Sequence, residues 1–294
     1  MASLPYAEGP LAFTTSHAAV PATLFASITI VTACAVQPVC VALSLVGALS
    51  FSVLVGGVGR ALAQLRWQVP MLALVCLANP LFSASGSTLL LKLGPISVYL
   101  ESLAYGACMG VLMVATVVWL ENAASVLTQD RVLALMGTRA RSVPLVVSMA
   151  AQLVPQLLRR ARTIRGVDRA FTARGERRGL RVGLVRASGM LLSWALEDSL
   201  DRADAMRARG WESGGARTRY RIERFSAADA GAMVLVLVLA LVTGLLAWVA
   251  CAQWRFYPTM PRLLAWWGYL PIAALELLPC GAELLARWRE RRLA

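Results

Sequence analysis

The chain is short of the side chains on which most protein chemistry depends. It has one histidine, His17, and one lysine, Lys92. With the only imidazole in the N-terminal tail, neither His-based acid–base catalysis nor a His-rich metal site has a candidate. A GxxxxGK[ST] phosphate loop is excluded because Leu91, not glycine, precedes Lys92. Acids are scarce, 16 against 29 basic residues, and no pair of carboxylates falls within an apolar segment. Glu276, near the inner end of the last apolar run, is expected at the membrane interface and not as a proton site. The six cysteines (Cys34, Cys40, Cys76, Cys108, Cys251, Cys280) form no CxxC pair and read as small hydrophobes. Residues 1–19 hold no Lys or Arg, so the basic region of a cleavable signal is missing. These absences argue against an enzyme, a resident cofactor or metal, and an ion-coupled carrier.

What is abundant is apolar surface. In 294 residues, 58% are hydrophobic and the mean hydropathy is +0.64, beyond the range of ordinary soluble domains. A spanning helix needs about 20 largely apolar residues. Six segments approach this: residues 20–36, 39–58, 69–82, 100–120, 230–250 and 263–278. The third is short and ends in Asn79-Pro80. The expected fold is therefore all-α, a polytopic helical membrane protein of about six spanning segments. Gly106 and Gly110 form a GxxxG step that lets a second helix approach closely. Trp119, Trp248, Trp254, Trp266 and Trp267 lie near predicted span ends, where an aromatic belt is expected.

Charge orients the chain. The stretch from Arg131 to Arg224 holds 20 of the 29 basic residues and eight acids. If it is cytoplasmic, alternation through the spans puts both termini, Arg60, Arg66 and the tail arginines Arg287, Arg289, Arg291 and Arg292 inside. Only Lys92, Arg255 and Arg262 remain outside, as the positive-inside rule asks. The expected division is membrane helices over 1–130, a cytoplasmic region over 131–226, and membrane helices with a basic tail over 227–294, in a plasma-membrane protein. A net charge of +13 invites a nucleic-acid reading, but the arginines lack interleaved aromatics and belong to a membrane protein. Anionic lipid headgroups in the bilayer account for part of the charge; the rest calls for a protein partner.

The basic region is also where the chain repeats itself. Residues 170–175 read Ala-Phe-Thr-Ala-Arg-Gly and residues 205–210 read Ala-Met-Arg-Ala-Arg-Gly, with Arg174 and Arg209 35 positions apart. Residues 142–154 read as a short apolar helix lying at the interface or packed under the bundle. From Pro155, suited to a first helical turn, Leu157, Ala161, Ile164, Asp168 and Phe171 recur at helical spacing, among Arg159, Arg162, Arg165 and Arg169. A second helix is predicted over 185–208, with Trp194, Leu196, Leu200 and Ala203 on one side. Its acids Glu197, Asp201 and Asp204 are placed to pair with the first helix's arginines. Each helix ends in Ala-Arg-Gly: glycine suits the left-handed residue just past a helix, and arginine there meets the negative end of the helix dipole. Either ending alone is an ordinary cap; two alike point to a part that grips two similar partners.

These phrases, together with Asn79-Pro80-Leu81-Phe82-Ser83, Leu100-Glu101-Ser102-Leu103-Ala104-Tyr105-Gly106, Thr128-Gln129-Asp130-Arg131 and Val143-Pro144-Leu145-Val146-Val147-Ser148-Met149, resemble the T component, or transmembrane scaffold, of energy-coupling factor (ECF) transporters. These are ABC importers for vitamins and metal ions. The resemblance runs from about Ser16 to the tail. It implies two long cytoplasmic coupling helices whose ends, Ala173-Arg174-Gly175 and Ala208-Arg209-Gly210, dock into two ABC ATPase subunits, as a homo- or heterodimer. It further implies a separate small substrate-binding membrane subunit, the S component. The chain itself would then be a non-catalytic subunit without a cofactor. Two other readings remain at this point. A stand-alone permease or channel would use the arginine helices as lipid anchors and should line several spans with polar residues. A membrane-anchored regulatory adaptor would need no coupling to ATP.

Overall fold

In a bilayer every backbone polar group must be bonded within the protein, so apolar runs of this length close into helices. The computed structural model has that form and describes residues 11–14, 16–82, 87–93, 96–136, 143–172, 180–211, 225–254, 256, 261 and 266–293. A 3-10 turn, Leu11–Phe13, leads into α1 (Ala19–Cys34) and α2 (Pro38–Phe82). A small antiparallel hairpin follows, β1 (Leu89–Leu93) with β2 (Ile96–Tyr99), Leu91 opposite Val98 and Leu93 opposite Ile96. Then come α3 (Leu100–Val126), α4 (Gln129–Met136), α5 (Val143–Thr172), α6 (Leu180–Ala208), α7 (Ala227–Gln253) and α8 (Tyr269–Leu293). Apart from the hairpin the fold is all-α, and it is that of a polytopic membrane protein. Among the described residues four helices, α2, α3, α7 and α8, are long and apolar enough to cross a membrane, and α1 is a shorter apolar helix of 16 residues. The chain separates into two compact units, Met1–Val132 with Glu223–Ala294, and Leu133–Ile222.

The second and third predicted apolar segments are two arms of one element. The 45-residue α2 breaks at Gly57, whose φ of 75° and ψ of 168° lie outside helical space. Ser52 Oγ donates to Gln64 Oε1 at 2.6 Å across this break. In a straight helix residues 12 apart are separated by about 18 Å, so the chain doubles back at Gly57. Only glycine takes such backbone angles without strain. The arm over 58–82 then lies against α3 through the GxxxG step. A Cβ on Gly106 would stand 2.9 Å from Cys76 O and from Asn79 Cβ, and one on Gly110 would stand 3.2 Å from Leu72 O.

Aromatic packing centres the membrane unit. Phe25 of α1 meets Phe51 of α2 at 5.5 Å and Trp119 of α3 at 6.0 Å between ring centroids. Trp119 is fully buried and donates Nε1–H to Ser44 Oγ at 2.9 Å, so it belongs to the core and not to a membrane-surface belt. Its indole finds both an apolar bed and a hydrogen-bond acceptor there. Trp248 and Trp267 are exposed.

Contacts sort the helix ends into two groups. At one end Ala12 bonds to Glu283, Arg287 to Leu54 O, and His17 to Asp229. At the other, Gln37 bonds to Tyr269, and Phe256 packs between Tyr105 and Trp254. The segment before α1, the Gly57 turn, the start of α7 and the last turns of α8 therefore share one end of the bundle.

Candidate partner-docking site

The Leu133–Ile222 unit contains the two long helices with arginine-bearing ends. α5 is one helix of 30 residues running through Pro155, not an apolar stub followed by a new helix. A proline inside a helix deletes one backbone bond and crowds the carbonyl four residues back, a local loss that the turns on either side outlast here. Leu153, Leu157, Ala161 and Ile164 are half-buried while Arg159, Arg162 and Arg165 are exposed, as helical spacing predicts. The side chains of Asp168, Arg169 and Phe171 lie outside the described residues. α6 begins at Leu180, five residues earlier than expected.

The two helices are joined by different chemistry from the acid–arginine pairs expected of them. The guanidinium of Arg160 lies over the Trp194 ring at 3.8 Å from its centroid, and Arg202 donates to Gln156 Oε1. Arg202 is also held by Asp198 of its own helix at 2.7 Å, and Asp204 meets Arg207 at 3.7 Å. Glu197 and Asp201 are exposed, and among the described residues no acid of α6 pairs with an arginine of α5. The i,i+4 and i,i+3 partners within α6 are already in reach, whereas a planar cation gains by stacking on an indole. Leu196 and Leu200, expected on the packed side, are exposed, as are Val185 and Leu192. On α5, Val147, Val154 and Leu158 are exposed at matching spacing.

The end of α6 has well-defined geometry. Its last residue is Ala208, and Gly210 takes φ 77°. Gly210 N–H donates to Arg207 O at 2.9 Å and Trp211 N–H to Met206 O at 3.1 Å. These bonds satisfy carbonyls that a helix end otherwise leaves open. Arg209 N–H is shared between Ala205 O and Met206 O, so the residue is fixed by its backbone while its side chain is exposed and makes no ion pair among the described residues. A cation on a rigid, narrow tip with little competing for it is suited to enter a complementary groove. Ala173, Arg174 and Gly175 lie outside the described residues.

The membrane unit also holds a set of buried polar groups. Glu276 is buried among α1, α2 and α3, not placed at an exposed edge: Thr32 Oγ1 donates to its Oε1 at 3.1 Å, and Thr32 and Ser44 hydroxyls are 2.7 Å apart. Because the single hydroxyl proton of Thr32 goes to Glu276, Ser44 is the donor to Thr32, while its own oxygen accepts from Trp119, a single-direction chain. Asn122 Nδ2 donates to Ala48 O at 2.8 Å. Glu283, one heptad beyond Glu276, is also fully buried and pairs with Arg287 at 2.9 Å. The i,i+7 spacing of the two acids was the available signal. Two segments of the motif set also meet: Asn79 Nδ2 donates to Ser102 O at 2.7 Å, and the Ser87 and Thr88 hydroxyls and Thr88 N–H donate to Glu101. Among the described residues no cluster of three or more His, Cys, Asp or Glu side chains could hold a metal ion.

No protein-family model matches the chain. It is similar to the energy-coupling factor transporter transmembrane protein EcfT of Listeria innocua, 29% identical over 194 residues that cover 60% of this chain and 71% of that protein.

Proposed function

We propose, from the chain's homology to the transmembrane component of energy-coupling factor transporters, that it is the membrane scaffold of such an importer. It would carry ATP-driven motion from two ATPase subunits to a separate membrane subunit that binds the vitamin or metal ion. Catalysis of ATP hydrolysis belongs to the ATPase subunits. Residues 133–222 and both termini face the cytoplasm, in keeping with the distribution of 26 of the 29 basic residues.

The observation that carries this reading is the Arg209 tip, a fixed and exposed cation at the end of a 29-residue helix, repeated in sequence at Arg174. Arginine offers several donors in a planar fork, matched to carboxylates or carbonyls in a groove. The uncovered apolar residues of α5 and α6 need a second contact, which the S component or the bilayer surface supplies. The bonding of Thr32, Ser44, Trp119 and Glu276 to one another favours a packed scaffold over a permease, whose polar groups would face an open path.

Co-purification tests the proposal. The wild-type chain should retain two ATPase subunits and a small hydrophobic protein. Arg209→Ala should weaken that retention by roughly 2–5 kcal/mol, the usual loss for one partner of a buried charged contact. Arg209→Glu should be worse, and membrane insertion should be intact in both. Wild-type retention and uptake by the Arg174→Ala/Arg209→Ala double variant would refute the docking assignment.

A further inference from the structure

The segment ahead of α1 plays no part in the scaffold reading, yet it is built into the bundle. Phe13, from the 3-10 turn, is buried with its ring 6.0 Å from that of Phe25. One residue earlier, Ala12 N–H donates to Glu283 Oε2 at 3.0 Å. The other oxygen of Glu283 receives Arg287 Nε at 2.9 Å, and Arg287 Nη2 donates to Leu54 O at 2.5 Å, in the last turn before the Gly57 break. A buried carboxylate is tolerated when its oxygens are bonded and its charge is paired, and Glu283 meets both conditions only with the segment in place.

Four residues on, the same segment reaches α7. His17 N–H donates to Asp229 Oδ1 at 3.3 Å, and the His17 ring meets Phe225 edge-on at 5.3 Å. His17 Nδ1 accepts from Ala19 N–H at 3.2 Å, which ties the ring's orientation to the start of α1. Asp229 belongs to the capping box of α7: its Oδ2 accepts from Ser226 N–H and Oγ–H, and its own N–H donates to Ser226 Oγ. Within seven residues, then, the segment bonds to α8 and the first turn of α7 and packs on α1. That first turn of α7 is where the chain returns from residues 133–222.

We infer that residues 11–14 and 16–18 form a strap that fixes the first turn of α7, with Phe13 and His17 as its positioning residues and Glu283 as its buried anchor. The contacts themselves do not depend on the transporter assignment. Their consequence for transport rests on the scaffold reading: a first turn that is held passes on a displacement arriving from the arginine-tipped helices, and a loose one absorbs it.

Amide exchange on the full-length chain in phospholipid nanodiscs tests the strap without any partner. Phe13→Ala should speed exchange at residues 230–234 about tenfold, the usual scale for losing contacts that hold a helix end. Phe13→Leu should restore near wild-type protection. His17→Ala, outside the core and safe for folding, should give a smaller increase at the same amides. Exchange in residues 38–56 and in α3 should stay at wild-type rates throughout. Unchanged exchange at 230–234 in both alanine variants would overturn the strap. So would acceleration spread evenly over α1, α2 and α3, which would make Phe13 a core residue and nothing more. With ATPase subunits present, His17→Ala should retain them yet lower uptake, while full uptake would remove the functional consequence. Failure of the wild-type chain to bind any ATPase subunit would instead defeat the scaffold reading and leave the exchange result standing.

Discussion

Single residues in this chain act mainly through backbone approach and capping. Gly47 lets α2 touch α8: a Cβ there would lie 2.9 Å from Glu276 O and 3.1 Å from Glu276 Cβ. Gly47→Ala must push the helices apart, and we expect a loss of about 1–3 kcal/mol, typical of overpacking. The measurement is the thermal midpoint in detergent, and an unchanged midpoint would contradict the close approach. At the α6 tip, Gly210→Ala forces a side chain into a left-handed residue at a cost of about 1–2 kcal/mol. This variant should retain ATPase subunits better than Arg209→Glu but less well than wild type. The Gly210 cap was legible in the sequence because Ala-Arg-Gly after a helical run carries a local conformational demand. The burial of Trp119 and Glu276 was not. An indole or carboxylate near a predicted span end reads as interfacial until a neighbouring helix is known to cover it and supply Ser44 or Thr32.

At the scale of elements, the informative case is α2. Hydropathy separates two apolar segments, and the helix that holds both breaks at one residue, Gly57, with Arg60 and Arg66 in the returning arm. A Cβ at Gly57 or Gly59 would meet no neighbour within 4 Å, so these two sites isolate backbone geometry from packing. Gly57→Ala should destabilise by about 1–2 kcal/mol because its φ is positive. Gly59→Ala, in regular helix, should be neutral or stabilising by up to about 1 kcal/mol. Equal effects in paired unfolding curves would rule out the fold-back at Gly57. α5 makes the opposite point. Pro155 reads as a helix start, and the chain passes through it, because a proline costs one bond while thirty residues of helix share the rest. The link between α5 and α6 was misjudged for a related reason. Counting charges finds acids and arginines in register, but Arg160 on Trp194 and Arg202 on Gln156 depend on how the two helices cross, which a linear pattern does not contain.

For the whole molecule, orientation and stoichiometry are the testable properties. In a background without the native cysteines, Arg178→Cys should be labelled only from the cytoplasmic side and Ser97→Cys only from outside; external labelling at 178 would invert the proposed topology. Native mass spectrometry of the purified complex should find two ATPase subunits per copy of this chain, since two similar tips need two similar grooves. One ATPase subunit per copy would favour the permease reading. Class was settled by the sequence alone: mean hydropathy and run lengths dictate membrane helices, the arginine distribution separates a basic middle from apolar flanks, and the doubled Ala-Arg-Gly phrase marks the proposed docking tips. Each is a local or additive property, readable without knowing which residues meet. Tertiary structure alone decided that two apolar segments fold back as arms of one helix, that Glu276 and Glu283 are bonded inside the bundle, and that the segment before α1 clasps α7 and α8. Those outcomes join residues up to 271 positions apart, and no pattern along the chain encodes a partner at that distance until packing has brought the two together.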